Sequence, residues 1–306
     1  MSRERVVVAM SGGVDSSVAA ALVAESGVEA VGVTLKLMSS APTGYGCCGS
    51  PEDLSDAKRV CEKLGISHYV VDMAEVFERD VVDLFVREYA SLRTPNPCVE
   101  CNRSVKFGAL MRLAEAWKAD AVATGHYAKC ERGPDGWVMR RAADQDKDQT
   151  YFLHSLTQAE LSRARFPLGA LTKPEVRERA RKLGLATAEK PESQEICFVP
   201  GGDYRALVKD RAPEAFVPGP VETADGKTLG RHSGLASYTL GQRRGLGVAA
   251  GKPLYVTGHD AARNTLVVGD VAEAGRATLE LERVSWTGSA PKPGASVLVR
   301  ARHRGR

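Results

Sequence analysis

The sequence lacks a long apolar run. Its longest stretches, such as Val28-Glu-Ala-Val-Gly-Val-Thr-Leu35, fall far short of the ~20 residues that cross a bilayer. No apolar stretch of signal-peptide type follows Met1-Ser-Arg-Glu-Arg5, so a soluble, cytoplasmic protein with no membrane partner is expected. Internal repeats and low-complexity tracts are missing too. Neither sign of charge dominates: 42 Lys+Arg against 38 Asp+Glu leave +4, which suits an enzyme as well as a nucleic-acid binder. The Gly-x-x-x-x-Gly-Lys-Ser/Thr loop of Walker type is absent, as is Gly-x-Gly-x-x-Gly, and both terminal-phosphate transfer and nicotinamide binding lose ground with them. Seven cysteines, an odd number without a secretion signal, argue against a disulfide framework and for thiol or metal chemistry.

What is present is ordinary globular composition, 43% hydrophobic and 26% charged with 30 Gly and 15 Pro, in a chain of 306 residues. That excludes wholesale disorder, collagen and coiled coil, and the length suggests about two domains. Arg5–Met10 reads as a buried strand, followed by a glycine turn and a helix. Further strands are expected near 28–35, 68–71 and 119–124, with helices over 51–64 (closed by Gly65), 75–91, 104–117 and 172–183 (closed by Gly184). Alternation of this kind predicts an α/β fold, a parallel sheet with helices on both faces. After about residue 201 Gly and Pro become dense and short β runs follow at 253–257 and 264–268, then at 278–284 and 295–302. The expected domains are 1–203, 204–275 and 276–306: a nucleotide-binding domain, a β-rich central module and a partial C-terminal β-barrel. From Arg276 onward seven basic residues face two acidic ones, and Arg231, Arg243, Arg244 and Lys252 add charge to the central module, as a phosphate backbone would require.

In Ser11-Gly-Gly-Val-Asp-Ser-Ser17 two glycines free backbone N–H groups at the positive end of the following helix, which makes an anion site. Ser11, Ser16 and Ser17 add hydroxyls, and Asp15 could help to hold the magnesium that accompanies phosphate. This stretch matches the pyrophosphate loop of ATP pyrophosphatases, which adenylate a substrate oxygen and let a nucleophile displace AMP. Thr94-Pro-Asn-Pro-Cys98-Val-Glu-Cys101 sets two thiols at the head of a helix, and Cys197 follows in Ser193-Gln-Glu-Ile-Cys197. Three thiols suit an iron–sulfur cluster with one open iron; alternatively one thiolate attacks while another carries a persulfide. Both readings stay open on the residues alone. Cys61, on the apolar stripe of its helix, is expected in the core. Cys130 is expected to be structural, and Cys47-Cys48 lies in a Gly-rich loop.

Six motifs, in order, resemble the bacterial tRNA-specific 2-thiouridylase family: Met10–Val18, Thr94–Pro97 with Cys101-Asn102, Ala123–Ala128, Asp146–Leu153, Glu192–Phe198 and His232–Gly247. The resemblance implies an ATP pyrophosphatase that converts a tRNA wobble uridine to 2-thiouridine. ATP, with Mg2+, would meet Ala9, Met10, Ser11, Gly12, Gly13, Val14, Asp15, Ser16, Leu35 and Gly125. Cys101 would be the nucleophile and Cys197 the persulfide carrier. Asn96, Pro97 and Cys98 would face the target base, and His126, Lys147, Asp148, Gln149, Arg302 and His303 the tRNA. The implied partners are a tRNA anticodon stem-loop and a sulfur-relay protein or sulfide. Many members have aspartate where this chain has Cys98, which favours the reading of a [4Fe-4S] cluster on Cys98, Cys101 and Cys197. The family's terminal barrel continues beyond the segment matching Val297–His303, so an incomplete barrel is expected. The alternative is a pyrophosphate-loop enzyme acting on a small molecule, such as an amide-forming synthetase.

Overall fold

A computed structural model describes residues 3–38, 49–192, 196–275, 277–282 and 284–301; the expectations for Cys47, Cys48, Arg302 and His303 lie outside them. The chain divides into two compact units, Met1–Val81 with Cys98–Phe198 and Arg283–Arg306, and Val82–Pro97 with Val199–Glu282.

The first unit is built on a parallel sheet. Strand β1 (Arg5–Ala9) is a run of branched residues with Val7 and Val8 wholly buried, as a central strand covered on both faces requires. It pairs in parallel with β2 (Glu29–Lys36) on one side and β4 (Ala121–Ala123) on the other. β3 (Ser67–Asp72) and β7 (Ala164–Arg165) close the order β3-β2-β1-β4-β7. Helix α1 (Val14–Glu25) carries small residues, Ala19 to Ala21, that are wholly buried and let it lie close to its neighbours. Helix α2 (Pro51–Leu64) starts at Ser50, whose hydroxyl accepts from the Asp53 N–H, and ends at Gly65 with φ 67°. Such a cap is worth about 1 kcal/mol. The helix Lys173–Lys182 opens the same way: the Glu175 carboxylate accepts from both the N–H and the hydroxyl of Thr172, and Gly184 closes the turn at φ 59°.

The strand order reverses between β1 and β4. Crevices at such switch points, outside the carboxyl ends of the strands, are where open α/β sheets bind ligands. A hairpin of β5 (Lys129–Gly133) and β6 (Gly136–Arg140), which the sequence pattern did not signal beyond a strand near Cys130, completes this unit's strands among the described residues.

In the second unit β8 (Gly219–Thr223), β9 (Thr228–His232), β10 (Tyr255–Asp260) and β11 (Thr265–Gly269) form a sheet in the order β10-β11-β8-β9 over a core of Val221, Leu235, Leu254, Val256 and Leu266. His232 ties it together: Nδ1 accepts from the Gly234 N–H and Nε2 donates to the Asn264 carbonyl. The helices Asp83–Ala90 and Tyr204–Arg211 meet through Tyr89 and Tyr204, stacked at 3.9 Å.

The strands expected at 278–284 and 295–302 do not form among the described residues there. Leu279, Leu281 and Leu298 alternate as strand residues do but remain exposed. The physical reason is pairing: a strand holds only when its backbone groups find a neighbour, and none of the described strands pairs with this segment. No helix among the described residues is long and apolar enough to cross a membrane.

Candidate nucleotide and thiol site

The loop after β1 is a backbone cradle at the switch point. Ala9 ends the strand, and Met10 is buried and donates its N–H to the Val33 carbonyl. Gly12 has φ 73°, and a Cβ there would stand 2.4 Å from the Asp53 carbonyl oxygen, so only glycine lets α2 approach this turn. Gly13 caps α1, and its carbonyl accepts from the hydroxyls of Ser16 and Ser17 at 3.0 and 2.8 Å. Ser16 Oγ in turn accepts from the N–H and hydroxyl of Ser11. Val14 is buried in the first turn of α1, and Leu35 near the end of β2. Gly125, just after β4, completes the cradle: a Cβ there would lie 2.7 Å from the Ser16 nitrogen. Two glycine-bearing turns from adjacent strands thus converge on the amino end of one helix, which attracts anions.

Asp15, read in sequence as a candidate to help hold magnesium, is paired with Lys173 and Tyr127. Lys173 Nζ donates to both its oxygens at 2.7 and 2.8 Å, and the Tyr127 hydroxyl donates to Oδ1 at 2.9 Å. The buried Lys173 ammonium also meets Glu192 at 2.8 Å, and Lys147 donates to the other Glu192 oxygen at 2.7 Å. Burial works against ionisation of Glu192, but the hydrogen bonds from Lys147 and Lys173 overcome it and hold the carboxyl below its ordinary value. Burial and the Asp15 carboxylate raise the Tyr127 phenol, which stays protonated and donates. Lys173 was missed in sequence because, read alone, it is an ordinary surface charge, and Glu192 was read only as part of the Glu192–Phe198 motif, with no role of its own.

The thiols lie in the same unit as the cradle. Cys98 sits in the helical turn Pro97–Glu100, and Cys101 begins a π-helical stretch, Cys101–Phe107, that continues as the α-helix Gly108–Ala116. Wide π turns recur at functional positions. Cys101 is buried; Cys98 reaches solvent on one side, while the protein packed around it and the Cys197 thiol raise its own thiol. Cys197 is half-buried beside Phe198, which is anchored edge-on against Phe77 at 5.7 Å. No group of three or more His, Cys, Asp or Glu among the described residues is drawn together as a metal site; Cys98, Cys101 and Cys197 as they stand do not fit a cluster. Cys61 is wholly buried, and desolvation pushes its thiol up to about 12, as its place on the apolar stripe implies. Cys130 packs at the hairpin, its thiol donating to the Leu161 carbonyl.

Two of the residues implied for tRNA, Asp148 and Gln149, turn their side chains inward. Asp148 is buried and accepts from the Ala142 N–H and the Thr150 hydroxyl. Gln149 accepts from the Tyr127 N–H through its side chain. His126 bonds Thr124, and burial together with Lys106 pushes its imidazole down to about 3, so it is neutral at neutral pH. Asn96 precedes the turn at Pro97, which is buried. In the second unit a cleft of about 480 Å³ is lined by Arg243, Leu246, Lys252 and Leu254.

The family model of the tRNA methyl transferase HUP domain matches residues 4–201, and that of the tRNA methyl transferase PRC-barrel domain matches residues 205–270. The tRNA-specific 2-thiouridylase MnmA of Chloroflexus aurantiacus is 51% identical over 289 residues, covering 94% of this chain and 80% of its own. Its namesake from Roseiflexus castenholzii is 47% identical over 317 residues, covering 97% and 85%. That of Geobacter metallireducens is 50% identical over 292 residues, covering 93% and 79%. Glycine cradle, paired thiol segments and these likenesses agree: the chain belongs to the tRNA-specific 2-thiouridylase family.

Proposed function

We propose that this protein is a tRNA 2-thiouridine synthase, a sulfurtransferase that spends ATP to replace the C2 oxygen of a wobble uridine by sulfur in the cytoplasm. The observation that carries the reading is the cradle itself: two glycine turns, at Gly12 and Gly125, that bring main-chain atoms against the amino end of α1, with no lysine of Walker type. Mg·ATP is the substrate seated there, against Ala9 to Ser16, Leu35 and Gly125. The domain 1–203 carries the chemistry, and 204–275, with Arg243 and Lys252 at its cleft, docks tRNA together with the partial barrel at 276–306. The turn at 96–98 meets the target base. His126, Lys147, Asp148, Gln149, Arg302 and His303 serve the tRNA side. Since Asp148 and Gln149 hold the chain at Ala142 and Tyr127, their contribution is to shape that surface.

The uracil 2-carbonyl oxygen attacks the α-phosphorus; an O–P bond forms, the bond to the bridging oxygen breaks, and pyrophosphate leaves. Positive donors fixed around the phosphates stabilise the charge that develops. The terminal sulfur of a Cys197 persulfide then attacks C2, and AMP departs with the former carbonyl oxygen. Attack of the Cys101 thiolate on Cys197 Sγ breaks the S–S bond, leaves sulfur on the base and closes a Cys101–Cys197 disulfide. A thiol reductant then returns two electrons to the disulfide and a persulfide-donating protein transfers its outer sulfur to Cys197; alternatively, sulfide attacks the disulfide at Cys197 Sγ, which forms the persulfide directly and releases Cys101 as thiolate. Extrusion of the base costs a few kcal/mol, least in a loop already unstacked. The cluster reading needs Cys98, Cys101 and Cys197 on one metal site, which their arrangement does not offer, so no step is drawn through it. Iron and sulfide analysis of anaerobically purified protein should find an active, metal-free enzyme.

The small-molecule alternative is not favoured, since the relatives that match over nearly the whole chain are tRNA enzymes by name. The test is ATP–pyrophosphate exchange with and without tRNA, with mass spectrometry of the nucleosides. Exchange that requires tRNA and yields 2-thiouridine is expected. Exchange supported by a small acid and indifferent to tRNA would overturn the reading.

A further inference from the structure

The segment that leads to Cys197 is stitched to the nucleotide cradle at three places. Thr187 donates its hydroxyl to Ser17 Oγ at 2.9 Å, both residues wholly buried. Lys190 Nζ bridges Asp53 and Asp56 of α2 at 2.6 and 2.5 Å, and Asp53 is the residue whose backbone closes on Gly12. Glu192 is held by Lys173, the same ammonium that pairs with Asp15 of the loop. Arg177 steadies the segment between these points by donating to the carbonyls of Ala188 and Lys190. Cys197 is the fifth residue beyond Glu192, at most about 18 Å of extended chain away, so the anchor bounds how far the sulfur can lie from it.

We propose that Lys173 is a positioning residue that registers the sulfur-carrying segment against the nucleotide loop, one buried ammonium holding Asp15 on the adenylating side and Glu192 on the thiol side. The inference rests on the functional reading above and deepens it. An ammonium shared by two carboxylates cannot change its hold on one without changing its hold on the other. Phosphates entering the cradle beside Asp15 compete for Lys173 and alter the restraint on Glu192. Occupancy of the cradle is thereby communicated to Cys197 through charge. Lys147, on the second oxygen of Glu192, extends the same link to the surface implied for tRNA.

The experiment separates the two half-reactions in the full-length protein. Adenylation is read as tRNA-dependent ATP–pyrophosphate exchange, sulfur transfer as single-turnover 2-thiouridine formation from protein preloaded with persulfide. Glu192→Ala, which leaves Lys173 its two bonds to Asp15, should slow exchange by no more than about threefold and sulfur transfer at least tenfold. Lys173→Met should slow both. A third readout is the alkylation rate of Cys197 by iodoacetamide: ATP should change it at least threefold in the parent and leave it unchanged in Glu192→Ala, which a merely structural role would not produce. Should Lys173→Met fail to fold, Glu192→Ala, on the more exposed partner, tests the same link by itself. Parallel losses in both half-reactions, or alkylation that still responds to ATP in Glu192→Ala, overturn the inference while the function stands. A parent with no tRNA-dependent exchange overturns both.

Discussion

The nucleotide cradle and the thiol turn occupy the same unit but are built from different material. The cradle is backbone: Gly12 and Gly125 bring main-chain atoms together at distances a single Cβ would violate, and the hydroxyls of Ser16 and Ser17 lock onto the Gly13 carbonyl. The thiol turn is side chain: Cys98 and Cys101 sit on a helical head and Cys197 on a separate segment, where its neighbour Phe198 packs edge-on against Phe77. A site made of backbone tolerates no added atom. A site made of side chains tolerates substitution in its surroundings but loses register, and the two should fail differently.

The largest effect should come from the cradle. Gly125→Ala places a methyl group 2.7 Å from the Ser16 nitrogen, and a displacement approaching 1 Å at a reacting centre costs about 100-fold in rate. ATP–pyrophosphate exchange should fall by roughly that factor and the melting temperature should fall with it, because the overlap is with the backbone of α1; exchange at the parental rate would contradict the tight contact at Gly125. Next comes a contrast between two buried cysteines. Cys61→Ala empties a core position and should cost about 1–2 kcal/mol in urea unfolding with activity per folded molecule unchanged. Cys101→Ser should do the reverse, abolishing 2-thiouridine formation with a parental unfolding curve. Equal behaviour of the two variants would erase the distinction between core and site.

A smaller effect concerns pH. Burial works against ionised Asp56, but hydrogen bonds from Lys190 and Arg59 outweigh it and lower its carboxyl. A carboxylate lowered in the folded state contributes stability above its unfolded value of about 3.9, and that contribution is lost as pH falls through the native value. Asp56→Asn should therefore lower the urea midpoint at neutral pH and flatten the acid limb of the stability–pH curve below about pH 4, where variant and parent converge. The smallest effect is a null one. His126, pushed down to about 3, should show no NMR titration between pH 5 and 8, whereas a midpoint near 6.5 would mean that its pocket is open to water.

The same division explains what was legible in the sequence. A backbone site leaves a contiguous signature, glycines and serines between a strand and a helix, and Ser11–Ser17 announced both the turn and its chemistry. The helix ends at Gly65 and Gly184 were legible for the same reason. The pairing of Asp15 with Lys173, 158 residues apart, leaves no local pattern, and neither does the inward turn of Asp148 and Gln149. β8 and β9 were hidden in a Gly- and Pro-rich stretch whose strand character depends on pairing with β11. At Leu279 and Leu298 the local pattern of a strand was present and the partner was not.

The most direct test follows the oxygen. With tRNA carrying 18O at C2 of the wobble uridine, activation of that oxygen on the α-phosphorus followed by thiol attack at carbon predicts AMP containing one 18O and unlabelled 2-thiouridine. AMP free of label, with 2-thiouridine still formed, would contradict the account at its centre.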